Sequence, residues 1–342
     1  MAGKKRKKSG LRIALTVLSV ILGILLALLI GATVWAESVM GQINRDTQPE
    51  ATLSDEEIQS ILDETDPIDE NYTGEILDED VVLSTGAADL IEDSDDIINI
   101  MLIGQDRRPG QGRQRSDSMI LCTINLEKKT LVMTSFLRDL DVEIPSWNGK
   151  NYSNNRLNVN YVFGGMEMLD ACLKQNFGVT VDHNIEVDFS GFENIVDIMG
   201  GVDINLTSKE AKWIGGGLSA GVNHLDGAQA LAYARIRKLD SDFGRTNRQR
   251  TVLMALLEKT KRMSLTELNN LVNSFTPLIT TDMSNNDIVS YVAKVFPALA
   301  QLEVTTQYIP AEGTYRNAMI RGMAVLVPDM EANRSILRET LG

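Results

Sequence analysis

The sequence predicts an α/β domain with a central mixed sheet flanked by helices, preceded by an N-terminal transmembrane helix. Three observations carry this expectation. The runs "IINIMLIG", "SMILCTIN" and "TLVMTSFL" are almost wholly apolar and of strand length, the pattern of a sheet buried on both faces. From 97 to 342 such strands alternate with helical periodicities, which points to one layered α/β domain. Ahead of them, "KKRKK" at 4–8 precedes an apolar run over 13–36, long enough to cross ~30 Å of hydrocarbon as a helix.

Taken in order, residues 1–12 read as a basic cytoplasmic tail and 13–36 as a retained membrane span, because the run is too long for a signal-peptide core and "ATVWAES" is a weak cleavage site. With the lysines inside, everything after Glu37 lies outside the cell membrane in a single-pass arrangement. Residues 37–96 read as an acidic stalk with a short helix near "SDEEIQSILDE". Residues 46–96 hold nineteen Asp and Glu and no Lys or Arg, so the net charge of −14 belongs to that segment and 97–342 is nearly neutral. A polyanion-binding domain is usually basic, which argues against nucleic acid as a partner. After the first three strands, "GGMEMLDACLKQNFG" has helical spacing and a glycine stop, and "HNIEVDF", "SGFENIVDIMGG" and "VDINL" read strand, helix, strand. Helices follow at 226–236, 247–263, 266–275 and 284–297, strands at 303–309 and 323–327, and a last helix from 329. Cys122 falls on a buried strand and Cys172 on the next helix; outside the cell they can pair, and buried free thiols are as ordinary.

The usual catalytic templates are absent: there are two histidines, His183 and His224, and no phosphate-binding glycine-lysine loop. What remains is arginine and aspartate in three clusters. "IGQDRRPGQGRQRSDS" lies between two buried strands and offers Asp106, Arg107, Arg108, Arg113, Arg115 and Asp117. Two carboxylates there can hold a hard divalent cation whose coordination phosphate oxygens complete, or the loop is a solvated set of mutually paired charges. In "SFLRDLDVEIP", Arg138 and Asp139 end a buried strand, with a helix cap as the plainer role for Asp139. The third is "LAYARIRKLDSDFGRTNRQR". Arg235 and Arg237 reach one site only if the helix from Asp226 ends near them. "TNRQ" matches a capping box with Thr246 as cap and Gln249 at the third position, which would leave Arg245 in the loop just before a helix N-terminus. Three loop-borne arginines there suit a multiply charged phosphate.

In this order after an anchor, "GQDRRPGQGRQRSDS", "SFLRD", "RLNVNYVFGG", "VDFSGFENIVDIMGGVDI" and "LDGAQALAYARIRKLDSDFGRTNRQR" resemble the LytR-CpsA-Psr family of bacterial envelope proteins, over roughly 97–265 of a catalytic domain reaching 342. The resemblance implies a phosphotransferase that joins an anionic glycopolymer (teichoic acid, capsule or another) from an undecaprenyl-pyrophosphate carrier to peptidoglycan through a phosphodiester. It implies Mg2+, or Mn2+, on Asp106 and Asp117. It also implies that Arg115, Arg138, Arg235, Arg237 and Arg245 grip the pyrophosphate, with Gln249 beside them and Arg108 as a further contact. An apolar cavity between sheet and helices would take the lipid tail, though core packing explains the same apolar helices. Arg156 stands where many relatives carry Lys. The attacking group would be an acceptor-sugar hydroxyl, with Asp139 one candidate for its base. The implied setting is the membrane of a bacterium of the Gram-positive kind, among membrane lipid. A hydrolase using the same site, and a non-catalytic prenyl-phosphate-binding or regulatory protein, are the alternative readings.

Overall fold

Both faces of a seven-stranded sheet are covered, which is why its strands read as unbroken apolar runs. The computed structural model describes residues 41, 43–46, 53–67, 72, 74–83, 88–91, 94–107 and 112–342. The span expected at 13–36 lies outside them, and among the described residues no helix is long and apolar enough to cross a membrane.

The chain begins with β1 (Asn44–Arg45), α1 (Asp55–Leu62) and β2 (Glu75–Leu77), followed by β3 (Ile97–Gln105), β4 (Ser116–Asn125) and β5 (Thr130–Phe136). Two short strands, β6 (Asp141–Val142) and β7 (Asn155–Arg156), precede α2 (Val159–Phe177), β8 (His183–Asp188), α3 (Phe189–Ile198) and β9 (Val202–Leu206). Then come α4 (Ser208–Ile214), β10 (Gly221–Leu225), α5 (Gly227–Ala234), α6 (Asp242–Thr260), α7 (Leu265–Phe275), β11 (Thr280–Thr281) and α8 (Asn285–Val295). Finally β12 (Glu303–Ile309), β13 (Tyr315–Ile320), β14 (Met323–Pro328) and α9 (Met330–Leu341) complete the chain. The expectation missed the short strands β1, β2, β6, β7 and β11, and also β10, β13 and α4.

The main sheet runs β1-β11-β8-β3-β4-β5-β12 and is mixed: β3 is parallel to β8 and antiparallel to β4, and β5 is parallel to β12. Period-two alternation assigns its faces. Met101 and Ile103 join Leu169 and Leu173 of α2 and Leu337 of α9 in one core layer, while Ile98, Ile120 and Met133 meet Leu253, Leu257 and Tyr291 of α6 and α8 in the other. Burying four or five such side chains at ~1.5–3 kcal/mol each gives either layer alone several kcal/mol of driving force.

The structure refines three local readings. Described residues of the segment read as a stalk contribute to the folded unit. Ser54 and Glu57 close a capping box on α1, whose Ile58, Ile61 and Leu62 pack on the main core, and β2 pairs in parallel with β13. The short helix expected near "SDEEIQSILDE" is present as α1; what the high average acidity concealed is the apolar face by which it docks. The helix expected after the paired glycines runs to Phe177 and stops at the left-handed Gly178; Gly164 and Gly165 are the kink that sets it off from the first turns of α2, and a Cβ on Gly165, at φ 65°, would stand 2.6 Å from the Arg113 guanidinium carbon. Cys122 and Cys172 are free thiols, both pushed up by burial, Cys122 to about 12.

Candidate functional site at the end of the central hairpin

The site starts from a register fault. Gly104 pairs with Ser118 and Gln105 with Ser116, so Asp117 is the extra residue of a β-bulge, a device that re-aims a side chain at a strand end. Asp106 follows the last residue of β3, which sets both carboxylates at the same end of one hairpin. The fully buried Gln105 ties the returning chain down, its side-chain oxygen accepting from the Gln114 backbone N–H at 3.0 Å. Arg108 lies outside the described residues.

Arg138 and Asp139 follow β5 in a turn, so the helix-cap role for Asp139 is not met. Arg138 Nη1 donates to Asp117 Oδ1 at 3.0 Å, and its Nε lies 3.3 Å from Asp139 Oδ2 and 3.9 Å from Asp242 Oδ1. The helix from Asp226 ends as the arginines require: Asp226 and Gln229 form a capping box, α5 stops at Ala234, and Arg235 is its C-cap. Released from the helix, Arg237 Nη2 donates to Asp117 Oδ1 at 3.1 Å. Arg235 Nη2 lies 3.5 Å from Asp106 Oδ2, its guanidinium 4.3 Å from the centre of the Phe189 ring. The loop bearing both is held by the buried Arg248, which donates to the Ile236 carbonyl at 3.1 Å and to Glu210 Oε1 at 2.7 Å and pairs with Asp240.

The capping box expected at Thr246 does not form. Helix α6 begins at Asp242, so Thr246 and Gln249 lie inside it and Arg245 belongs to its first turn rather than to the loop. Tertiary contacts decide the start: Phe243 packs against Tyr308 and Tyr315 at 4.9 and 5.2 Å between ring centres. Arg245, 2% exposed, holds Asp242 Oδ1 at 2.6 Å through Nη2, while its Nε and Nη1 are buried with no hydrogen-bond partner among the described residues. Burial lowers its pKa, with Asp242 opposing. Burial also works against the charge of Arg138, but Asp139, Asp242 and Asp117 together hold its pKa above the ordinary value. Burial raises the Asp139 carboxyl, against the pull of Arg138.

Asp117, Arg138, Asp139, Arg237, Asp242 and Arg245 therefore form one cluster, with Asp106 and Arg235 paired at the same hairpin end. Its guanidinium N–H groups outnumber their partners, which suits a polyanion with several oxygens. Among the described residues no three Asp, Glu, His or Cys gather as a metal-binding group. Two carboxylates are still what Mg2+ asks of a protein when phosphate oxygens and water complete the shell, so Asp106 and Asp117 fit it. Other candidates point elsewhere: Arg115 pairs with Glu64, Arg107 with Glu186 at 3.2 Å, and Arg113 with Asp46 at 3.1 Å. Arg156 pairs with Asp66 and lies 3.7 Å from Asp139. Gln249 sits half-buried one helical turn after Arg245. Sequence reasoning missed Asp242, Asp240 and Arg248, whose signal was the acidic "DSD" set inside the arginine-rich stretch.

Against known proteins, the LytR_cpsA_psr family model matches residues 58–340. The polyisoprenyl-teichoic acid–peptidoglycan teichoic acid transferase TagU of Bacillus mycoides is 40% identical over 164 residues, 47% of this chain and 52% of the relative; TagU of Bacillus anthracis is 34% identical over 194 residues, 56% and 62%. The chain thus spans little more than half the length of the curated relatives it matches. The crystal structure of B. subtilis TagT has TM-score 0.59 and 25% identity, covering 77% of this chain and 97% of TagT.

Proposed function

Because the chain belongs to the LytR_cpsA_psr family, we propose that it is a phosphotransferase that moves an anionic glycopolymer from a polyprenyl-pyrophosphate carrier to peptidoglycan, as the TagU relatives are named for doing with teichoic acid. The observation that carries this reading is Arg245, a buried guanidinium with two nitrogens that have no partner among the described residues, beside Arg138 and Arg237. A buried cation held in that state is arranged for an anion that arrives later.

In this reading Arg138, Arg235, Arg237 and Arg245 hold the pyrophosphate. Arg115 joins by exchanging its half-exposed partner Glu64 for phosphate, and Gln249 and Arg108 extend the contact. An acceptor hydroxyl oxygen attacks the phosphorus on the glycopolymer side. The new O–P bond forms as the phosphoanhydride O–P bond breaks, and that electron pair leaves on the bridging oxygen of polyprenyl phosphate. The hydroxyl proton passes to a carboxylate, for which Asp139 is suited because burial raises its affinity for a proton. Preorganised guanidinium groups stabilise charge on the transferring oxygens without a protein nucleophile. Asp106 and Asp117 would hold Mg2+ or Mn2+, which when bound supplies further neutralisation of those oxygens. The span at 13–36 would keep the domain outside the cell membrane, where carrier lipid and wall meet.

The test is transfer from a synthetic polyprenyl-pyrophosphate glycopolymer to a peptidoglycan oligomer. Release of polyprenyl phosphate should require the acceptor. Equal release without it would make the protein a hydrolase, and binding without release a carrier-binding protein.

A further inference from the structure

Asp139 and Asp242, which steady Arg138 and Arg245, also line a cleft of about 880 Å3 that the phosphate-binding role does not use. That volume lies in the ~300–1,000 Å3 range of small-ligand sites. Phe243, Tyr315, Asn317 and Tyr72 form further parts of its lining. Phe243 stacks on Tyr315 with ring centres 5.2 Å apart and planes at 29°. Tyr72 lies so close over Gly74 that a Cβ there would stand 2.2 Å from its hydroxyl and 2.8 Å from the Asn317 carbonyl oxygen.

Charge limits what can enter. Glu75, Asp139 and Asp242 face a single lining arginine, Arg316, which is paired with Glu75 at 2.6 Å. A phosphodiester polymer would need a cation that this lining, with Arg316 committed to Glu75, does not offer among the described residues. A glycan without phosphate would not: aromatic side chains offer an apolar platform to a sugar ring, while carboxylate and amide oxygens accept from its hydroxyls. The cleft adjoins the phosphate cluster through shared residues, so a sugar in it lies beside the group to be transferred.

We propose that this cleft is the subsite for the acceptor glycan, with Tyr315 and Asn317 positioning a sugar so that one hydroxyl reaches Asp139 and the bound phosphoryl group. The proposal rests on the phosphotransferase reading above. It is tested on the full chain in detergent with two variants, Tyr315→Leu and Asn317→Ala, whose melting temperatures are measured alongside. A soluble peptidoglycan glycan oligomer is titrated without donor by ligand-observed NMR, and KM is measured separately for oligomer and donor. Both variants should bind the oligomer more weakly and raise its KM, for Tyr315→Leu by about threefold to tenfold, the worth of one aromatic contact. Donor KM and acceptor-free release should not move. Unchanged oligomer binding and KM would overturn the proposal, as would a raised donor KM alone, which would give the cleft to the donor's own sugars. Oligomer binding lost in the variants of a protein that transfers nothing would uphold the subsite and overturn the phosphotransferase reading.

Discussion

Arg245 is costly to fold around. A buried donor left unpaired costs about 1–3 kcal/mol, more when charged, and Arg245 has two such nitrogens. Removing it should therefore relieve strain in the ligand-free protein while removing grip. Arg245→Met is expected to melt at the wild-type temperature or above it and yet to transfer polymer at least a hundredfold more slowly, as calorimetry and the transfer assay would report. A marked fall in melting temperature would make Arg245 a packing residue. Arg237 offers the complementary case, because its side chain is 47% exposed and its contact with Asp117 is a single hydrogen bond of 3.1 Å. Arg237→Lys keeps charge and fold but loses the planar fork, and at about 1.5–3 kcal/mol per charge-assisted bond the rate should drop ten- to a hundredfold. A silent substitution would take Arg237 out of the site.

Helix ends place these arginines, and Arg248 fixes the segment between two of them. It spans Glu210 in α4, the Ile236 carbonyl and Asp240, so the loop carrying Arg235 and Arg237 has one buried brace. Arg248→Ala would strand Glu210 without its partner, and breaking a buried pair costs about 3–5 kcal/mol. The expected outcome is a lower denaturation midpoint together with reduced transfer, and a variant that keeps wild-type stability would show the loop to be set elsewhere. The same helices mark what sequence could disclose. The start of α5 was legible because Asp226 and Gln229 act locally, within one turn. The start of α6 was not: "TNRQ" satisfies the same local rule, but Phe243 seated against Tyr308 and Tyr315 begins the helix earlier, and those partners are remote in sequence. The central strands were legible because burial on two faces writes one unbroken apolar run. Strands β10 and β13 were missed because each belongs to a small satellite sheet: β10 has only two apolar residues, Val222 exposed and Leu225 buried, and β13 is exposed at one end and buried at the other. The bulge that re-aims Asp117 is a matter of register, which no single-strand pattern records.

At the scale of the molecule, described residues of the acidic segment join the fold, and one of them, Asp80, bears on its response to pH. Asp80, from that segment, pairs with Arg321 at 2.6 Å and faces Asp141, which is 1% exposed and has one carboxylate oxygen buried without a partner among the described residues. Burial, reinforced by Asp80, raises the Asp141 carboxyl to about 7 from 3.8. The folded state then holds a proton that the unfolded chain has already given up. Below pH ~4 both states are protonated and Asp141 has no effect; between ~4 and ~7 stability falls as pH rises; above ~7 the loss is complete, at most about 4 kcal/mol for a shift of this size. Asp141→Asn keeps the shape and removes the charge. It should match the wild type at pH 4, be more stable at pH 8, and flatten the slope between them. Denaturant melts across that range check this. Equal slopes for the two proteins would mean that Asp141 is ionised in the fold, its charge met by Arg321 and Arg316, the two cations that oppose the shift.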